Sequence, residues 1–196
     1  IFTCDHGEQM GDHHMLGKQG YFDESFHIPM IVVDPRPEAE ATRGTVVEKF
    51  TETIDMMPTV LDWLGGDIPR QCEGASLLPF CHGETTSDWR DAAHFEFDFR
   101  EVREPEVEQS FGLNMDQCCL ASIRDEKFKY VHFAGLPPLL FDMQEDPGQL
   151  RNLATDPGYA KIMLEYCQRL LSWRMEHAER ILTHMSAGPG GLVIRD

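Results

Sequence analysis

Residues 94–143 carry a rhythm that commits the second half of the chain to an antiparallel sheet. His94-Phe95-Glu96-Phe97-Asp98-Phe99 alternates strictly between apolar and polar side chains, the pattern of a strand with one face buried. Residues 120–124 and 128–133 are two further apolar-rich segments, and Asp125-Glu126-Lys127 separates them. That separation reads as a hairpin turn and puts the charges of residues 124–130 on an exposed hairpin. Residues 139–143 form another strand, closed by Asp146-Pro147-Gly148. Strands joined by such short turns are antiparallel, because a parallel pair needs a long crossover. Behind them, residues 159–183 read as a long amphipathic helix. Tyr159, Ile162, Met163, Tyr166, Leu170, Trp173 and Ile181 recur mostly at three- and four-residue steps. Asp156 caps it and Pro157 occupies its first position. The tail over residues 186–196, with Gly188-Pro189-Gly190-Gly191, is expected to need a partner to be ordered.

The first part has a different character. Ile1-Phe2-Thr3 reads as the end of a buried strand, and residues 5–20 as a loop at its C-terminal edge, where open α/β sheets place their ligand sites. The apolar run Met30 to Val33 reads as a central strand covered on both faces, with Pro29 tolerated at its start. Residues 35–43 read as a polar loop, and Val46, Val47 and Phe50 as a short edge strand. Residues 55–66 read as a helix with Asp55 as N-cap, Pro58 in the first turn and Gly65 in the left-handed C-terminal position. Residues 67–88 are loop, anchored by Leu77 and Leu78, and residues 101–114 are acidic and irregular. The fold class is α/β: the end of a larger α/β sheet over residues 1–88, then a small antiparallel sheet packed on a long helix over residues 89–196. Dense polar chemistry normally follows a whole strand, and here it follows Ile1 and Phe2 directly. The chain therefore reads as the C-terminal portion of a longer enzyme.

Charge and cysteine usage narrow the function. The net charge is −17. Nucleic acid and anionic membranes call for clustered Lys and Arg, so neither is expected as a partner. A small anionic substrate stays open, since one metal ion and one lysine reverse the field locally. The six cysteines, Cys4, Cys72, Cys81, Cys118, Cys119 and Cys167, contain no C-x-x-C pair, which argues against a zinc knuckle. They read as mostly buried free thiols in a reducing compartment, hence a cytoplasmic protein, with an upstream export signal compatible with a start at Ile1. No apolar run approaches membrane-spanning length.

The densest chemistry lies between Asp5 and Lys18. A carboxylate and an imidazole side by side, Asp5 and His6, can both reach one cation if the backbone turns, and Gly7 permits the turn. Such a mixed oxygen and nitrogen pair favours Mn²⁺, Zn²⁺ or Fe²⁺ over Ca²⁺. Read alone, the dipeptide fits a capping aspartate beside a surface histidine more commonly. Lys18, flanked by Gly17 and Gly20, can bring its ammonium to a bound anion, or be a solvated loop lysine. Glu8, His13 and His14 are placed either to orient metal ligands or to face solvent. His94 and His132 read as half-buried structural residues, and Cys4 as a packing residue of the strand. The chain has no G-x-S-x-G elbow and no glycine-rich phosphate loop.

The run IFTCDHGEQMGDHHMLGKQGYFDESFHIPMIVVD resembles the sulfatase branch of the alkaline phosphatase superfamily, whose members carry a Ser/Thr-x-Asp-His-Gly-Glu block. TETIDMMPTVLDWLGGDIP with EGASLLPFCHG is similar to the family's next characteristic stretch. FEFDFREV, FKYVHFAGLPPLLFD and the ending LSWRMEHAERILTHMSAGPGGL resemble phosphonate monoester hydrolases in particular. The resemblance implies Asp5 and His6 as two ligands of a single divalent metal and Lys18 as a contact to the non-bridging oxygens of a phosphonate, phosphodiester or sulfate ester. It implies a formylglycine nucleophile made from a cysteine in a C-x-P-S-R motif. None of the six cysteines lies in one, which assigns that nucleophile to an absent N-terminal part and leaves this portion inactive alone. His27 stands where the resemblance implies Arg, so no anion contact is carried to it. Homo-oligomers formed through the C-terminal region are also implied. An arylsulfatase of the same superfamily, and a truncated binding or assembly module without catalysis, are the alternatives.

Overall fold

In the computed structural model of the chain, residues 1–101, 106–178 and 185–194 are described. Strand β1 (Phe2–Thr3) runs into the Asp5 turn, a small hairpin of β2 (Gln9–Met10) and β3 (Leu16–Gly17), a one-turn helix α1 (Asp23–Phe26) and strand β4 (Met30–Ile31). β4 returns antiparallel to β1, with Thr3 opposite Met30 and Phe2 opposite Ile31. The expected central strand is therefore a two-residue one. Ile31 and Val33 are 55% and 59% exposed, while Met30 and Val32 are half-buried, so one face of the run is open among the described residues.

Three local expectations are corrected in the next stretch. Residues Pro37–Thr42 form a 3₁₀ helix rather than a loop, started by the fixed φ of Pro37 and buried through Ala39. Residues 46–50 form no strand. The indole N–H of Trp89 donates to the Phe50 carbonyl at 2.7 Å, taking the acceptor that a neighbouring strand would use. Asp55 precedes helix α2 (Met56–Trp63) but makes no capping bond to it. Its fully buried carboxylate instead accepts from both Arg90 Nη atoms and from the backbone N–H groups of Glu52 (2.8 Å) and Ala75 (2.9 Å). The far end of α2 is as expected. Gly65 is left-handed at φ 70°, and the bonds Gly66 N–H to Leu61 O (2.8 Å) and Gly65 N–H to Asp62 O (3.0 Å) close the helix. Leu77 and Leu78 are buried as expected. The Leu77 N–H donates to Thr59 Oγ1 at 2.9 Å, and a short helix α3 (Leu78–Cys81) follows.

The second half builds the sheet that the alternation demanded. Strands β5 (Ala93–Asp98), β6 (Cys119–Arg124), β7 (Phe128–Phe133) and β8 (Leu139–Asp142) lie in sequence order, every pair antiparallel. Between β5 and β6 sits helix α4 (Glu106–Phe111), where an irregular segment was expected; the acidic side chains of its first turn suit the positive end of a helix. Helix α5 (Ala160–Glu176) lies across one face of the sheet, packing Tyr166 and Leu170 on Ala121, Ile123, Tyr130 and Leu140. Asp156 accepts from the Gly158 N–H at 2.8 Å and Pro157 opens the turn, as the sequence indicates. α5 stops at Glu176, short of the expected residue 183, with the His177 N–H bonded to Trp173 O at 2.9 Å. Ile181 and Thr183 lie outside the described residues. In the tail, β9 (Met185–Gly188) and β10 (Gly191–Ile194) pair as an antiparallel hairpin, with Gly191 at φ 107° at the start of β10; residues 195–196 lie outside the described ones.

The other face of the sheet is covered as well. Leu120, Val131 and Phe133 pack with Phe95, Phe97 and Tyr21, while Phe22 packs on Phe141 and Met143. The ring of Phe26 stacks on Phe95 at 3.9 Å and 14°. The segment entering α1 is thus the roof of the second core. This double cover explains why Leu120, Ala121, Ser122 and Ile123 are all buried in β6, while the edge strand β5 keeps its alternation. The cysteines are free thiols, but only Cys118 is buried, so the expectation of mostly buried thiols is corrected. Among the described residues no helix is long and apolar enough to cross a membrane.

Two outcomes follow from these contacts. Replacing Arg90 by Met leaves the buried Asp55 carboxylate without its cation. The expected loss is about 3–5 kcal/mol, read as a shift of the urea midpoint; a midpoint moved by less than a fifth of that contradicts the pairing. The second outcome concerns His94, whose ring lies flat on Trp173 at 4.4 Å and 2°. Burial pushes its imidazole down from 6.5 to about 4, helped by the nearby His177 and Arg169 charges. A depressed folded value gives stability that is complete above the unfolded value and lost as pH falls through the folded one. Stability therefore declines between about pH 6.5 and 4 as the unfolded chain takes up a proton that the folded chain refuses. His94→Phe, which keeps a ring against Trp173, is expected to flatten that acid limb; an unaltered limb contradicts it.

Candidate active site

β1 delivers Asp5 and His6 to the surface side by side. The Asp5 carboxylate is 87% exposed, with Oδ2 lying 3.6 Å from His6 Nε2. The His6 N–H donates to Asp5 Oδ1 at 3.1 Å. His6 Nδ1 lies 2.7 Å from the Gly7 carbonyl oxygen. A carbonyl only accepts, so in this contact Nδ1 carries the hydrogen and Nε2 keeps its lone pair on the side of Asp5. Atoms that each stand about 2.0–2.2 Å from one shared ion stand roughly 3–3.5 Å apart. At 3.6 Å the two atoms stand just wide of that range, and a small turn of the exposed Asp5 carboxylate brings the pair within it. Among the described residues no group of three or more His, Cys, Asp or Glu side chains is gathered to hold a metal.

Gly7 has a different role from the one the sequence suggested. Its backbone is not left-handed. Its N–H donates to the Ser25 carbonyl at 2.9 Å, and a Cβ at this position would stand 1.9 Å from the Glu24 carbonyl oxygen. The glycine is required because the Asp5–His6 backbone lies directly on α1.

The hairpin of β2 and β3 rests on the same helix. His13 and His14 at its tip are both left-handed, with φ 51° and 62°, an uncommon state for histidine. The His13 ring lies flat on Phe22, centroids 3.5 Å apart at 3°, and Nε2 is 3.7 Å from Glu24 Oε2. His13 therefore holds the hairpin to α1. Glu8, His14 and Lys18 are exposed, with Lys18 following β3 directly. The structure brings Asp5 and His6 together and seats His13 against Phe22 and Glu24. His94 is half-buried as expected, whereas His132 is exposed and pairs through Nδ1 with the Tyr130 hydroxyl at 3.0 Å.

Sequence reasoning missed the support beneath this site. Residues 124–130 were expected to carry exposed charges, yet Lys129 on β7 has no exposed surface. Its ammonium donates to Asp23 Oδ1 at 2.7 Å and to Gln149 Oε1 at 2.8 Å, and lies 5.5 Å from the Phe95 ring centroid. Burial pushes its pKa down, against the pull of Asp23. Arg124 Nε adds a second cation 3.5 Å from Asp23 Oδ2. The signal was available in register: Lys129 shares a strand face with Val131 and Phe133, both buried.

With this geometry in place, four similarities identify the family. The family model described as N-sulphoglucosamine sulphohydrolase, C-terminal, matches residues 11–176. Over 196 residues the chain is 53% identical to the multifunctional alkaline phosphatase superfamily protein PehA of Trinickia caryophylli, covering 100% of this chain and 38% of that protein. It is 30% identical over 179 residues to an arylsulfatase of Clostridium perfringens, covering 91% of this chain and 34% of that one. Its fold superposes on the phosphonate monoester hydrolase of Agrobacterium radiobacter with a TM-score of 0.91 and 47% identity, over 100% of this chain and 38% of the other. The chain thus spans little more than a third of these relatives' length. It belongs to the N-sulphoglucosamine sulphohydrolase C-terminal family, within the sulfatase branch of the alkaline phosphatase superfamily.

Proposed function

We propose that the full-length protein is a metal-dependent hydrolase of phosphonate monoesters and phosphodiesters, and that this chain contributes two metal ligands and an anion contact to it. The observation that carries this reading is the juxtaposed Asp5 Oδ2 and His6 Nε2, 3.6 Å apart, with the histidine tautomer set by the Gly7 carbonyl. A single divalent ion, Mn²⁺, Zn²⁺ or Fe²⁺ rather than Ca²⁺, suits that donor pair. When bound, such an ion supplies polarisation of the ester's oxygens.

The residues of this chain have separable tasks. Asp5 supplies negative charge to the ion, and His6 supplies a neutral nitrogen held in orientation by its own Nδ1–H. Lys18 carries the exposed ammonium that meets the anionic oxygens and offsets charge developing on the transferring group. His13 fixes the hairpin from which Lys18 emerges. The attacking group, formylglycine on the family resemblance, is assigned to the part of the relatives' length that this chain does not span. The strong likeness to a phosphonate monoester hydrolase supports phosphonate monoesters as substrates, and the family resemblance extends the reading to phosphodiesters. The weaker likeness to an arylsulfatase supports sulfate esters as a second reading. Free thiols support a cytoplasmic setting. The β9–β10 hairpin and the exposed Leu171 and Met175 on α5 support self-association through the C-terminal region.

In the full-length enzyme, Asp5→Ala and His6→Ala are each expected to strip the metal and remove most phosphonate ester hydrolysis. Lys18→Ala is expected to lower kcat/KM by about 10²–10³ with metal content unchanged. A Lys18→Ala enzyme within twofold of wild type contradicts the anion role. Assayed beside the full-length enzyme, this chain alone is expected to show no turnover; hydrolysis at a comparable rate overturns the division of labour.

A further inference from the structure

We infer that Lys129, on the small antiparallel sheet, is a positioning residue for the metal pair and for the hairpin that carries Lys18. This rests on the reading of Asp5 and His6 as metal ligands. The path is short and continuous. Lys129 Nζ holds Asp23 Oδ1 at 2.7 Å, and Gln149 Oε1 at 2.8 Å fixes the ammonium from the other side. Asp23 is the first residue of α1. Two residues along, the Ser25 carbonyl accepts the Gly7 N–H at 2.9 Å, and the Glu24 carbonyl lies where a Gly7 side chain would be. Gly7 in turn sets the His6 ring through the contact of its carbonyl with Nδ1. The lysine hairpin meets the same helix through the His13 ring on Phe22 and His13 Nε2 near Glu24.

Both halves of the site therefore rest on one turn of helix. A single turn has no stable position of its own in water. What locates α1 is its attachment: the rings of Phe22 and Phe26 seat its ends on the sheet, and the Lys129–Asp23 bond fixes the rotation of its first turn about the helix axis. Rotating α1 moves the Ser25 carbonyl, and with it the loop that bears Asp5 and His6. Groups bonded directly to ligating side chains alter metal affinity by about 10–100-fold when removed, and Lys129 acts on His6 through α1 and Gly7, toward the lower end of that range.

The test uses the full-length protein and Mn²⁺ as the probe, titrated in competition with a chelator at a temperature where every variant is folded. Lys129→Met is expected to weaken Mn²⁺ binding by about tenfold or more, and to speed amide exchange at residues 4–8 as well as in the sheet. If Lys129→Met does not fold, Asp23→Asn carries the test, since it keeps the side-chain size and one acceptor oxygen; a smaller weakening in the same direction is expected. A lower unfolding temperature with an unchanged Mn²⁺ dissociation constant overturns the positioning role and leaves Lys129 as a stability residue. Asp5→Ala separates the two readings. If it keeps wild-type Mn²⁺ binding, the metal assignment itself fails and the positioning role falls with it.

Discussion

An ammonium group with no exposed surface must find its counter-charge inside the protein, and the position of Lys129 follows from that requirement. Its partner, Asp23, lies 106 residues away in sequence. Removing Asp23 strands the buried Lys129 ammonium, whereas Asp23 itself is 21% exposed with Arg124 beside it, so the pair acts less as a source of net stability than as a statement of geometry. It specifies which turn of α1 faces the sheet. The segment at residues 21–26 then becomes the roof of the second core, through Tyr21, Phe22 and Phe26. Gly7, packed against the outer side of that roof, carries Asp5 and His6, the proposed metal ligands, into place.

The same logic recurs in the first half of the chain, where the described strands are short and an apolar core is modest. Asp55 gathers Arg90 and the backbone N–H groups of Glu52 and Ala75. Asp34 is held by Arg36 Nε at 2.9 Å and by His82 Nε2 at 3.0 Å, and the Arg36 guanidinium keeps its carboxyl well below the usual range. Buried carboxylates thus fasten loops that pair with no strand. The second half relies instead on a sheet closed by α5 on one side and by α1 on the other. The candidate site lies where the two schemes meet.

Local pattern made much of this legible. Alternation over residues 94–99 and the turn at Asp125-Glu126-Lys127 gave the sheet, and Gly65 gave the end of α2. The adjacency of Asp5 and His6 in sequence is matched by their closeness in space, with Oδ2 and Nε2 3.6 Å apart. What stayed hidden depends on contacts between distant segments. Asp55 has the sequence of a helix cap, and only the approach of Arg90 turns it into a hub. Gly7 looks like a turn glycine, and only the closeness of Glu24 shows that it is there for lack of a side chain. The run at residues 30–33 is as apolar as a central strand, and its apolarity does not reveal that, among the described residues, it pairs only with antiparallel β1. Lys129 is the instructive miss: its charge suggested solvent, while its register between buried neighbours pointed inward.

The proposed metal pair is best tested by anomalous X-ray scattering from the full-length protein loaded with Mn²⁺ or Zn²⁺. One anomalous peak is expected about 2.0–2.2 Å from an Asp5 carboxylate oxygen and from His6 Nε2, with Nδ1 still against the Gly7 carbonyl. A peak remote from both side chains, or one bound through Nδ1, contradicts the arrangement.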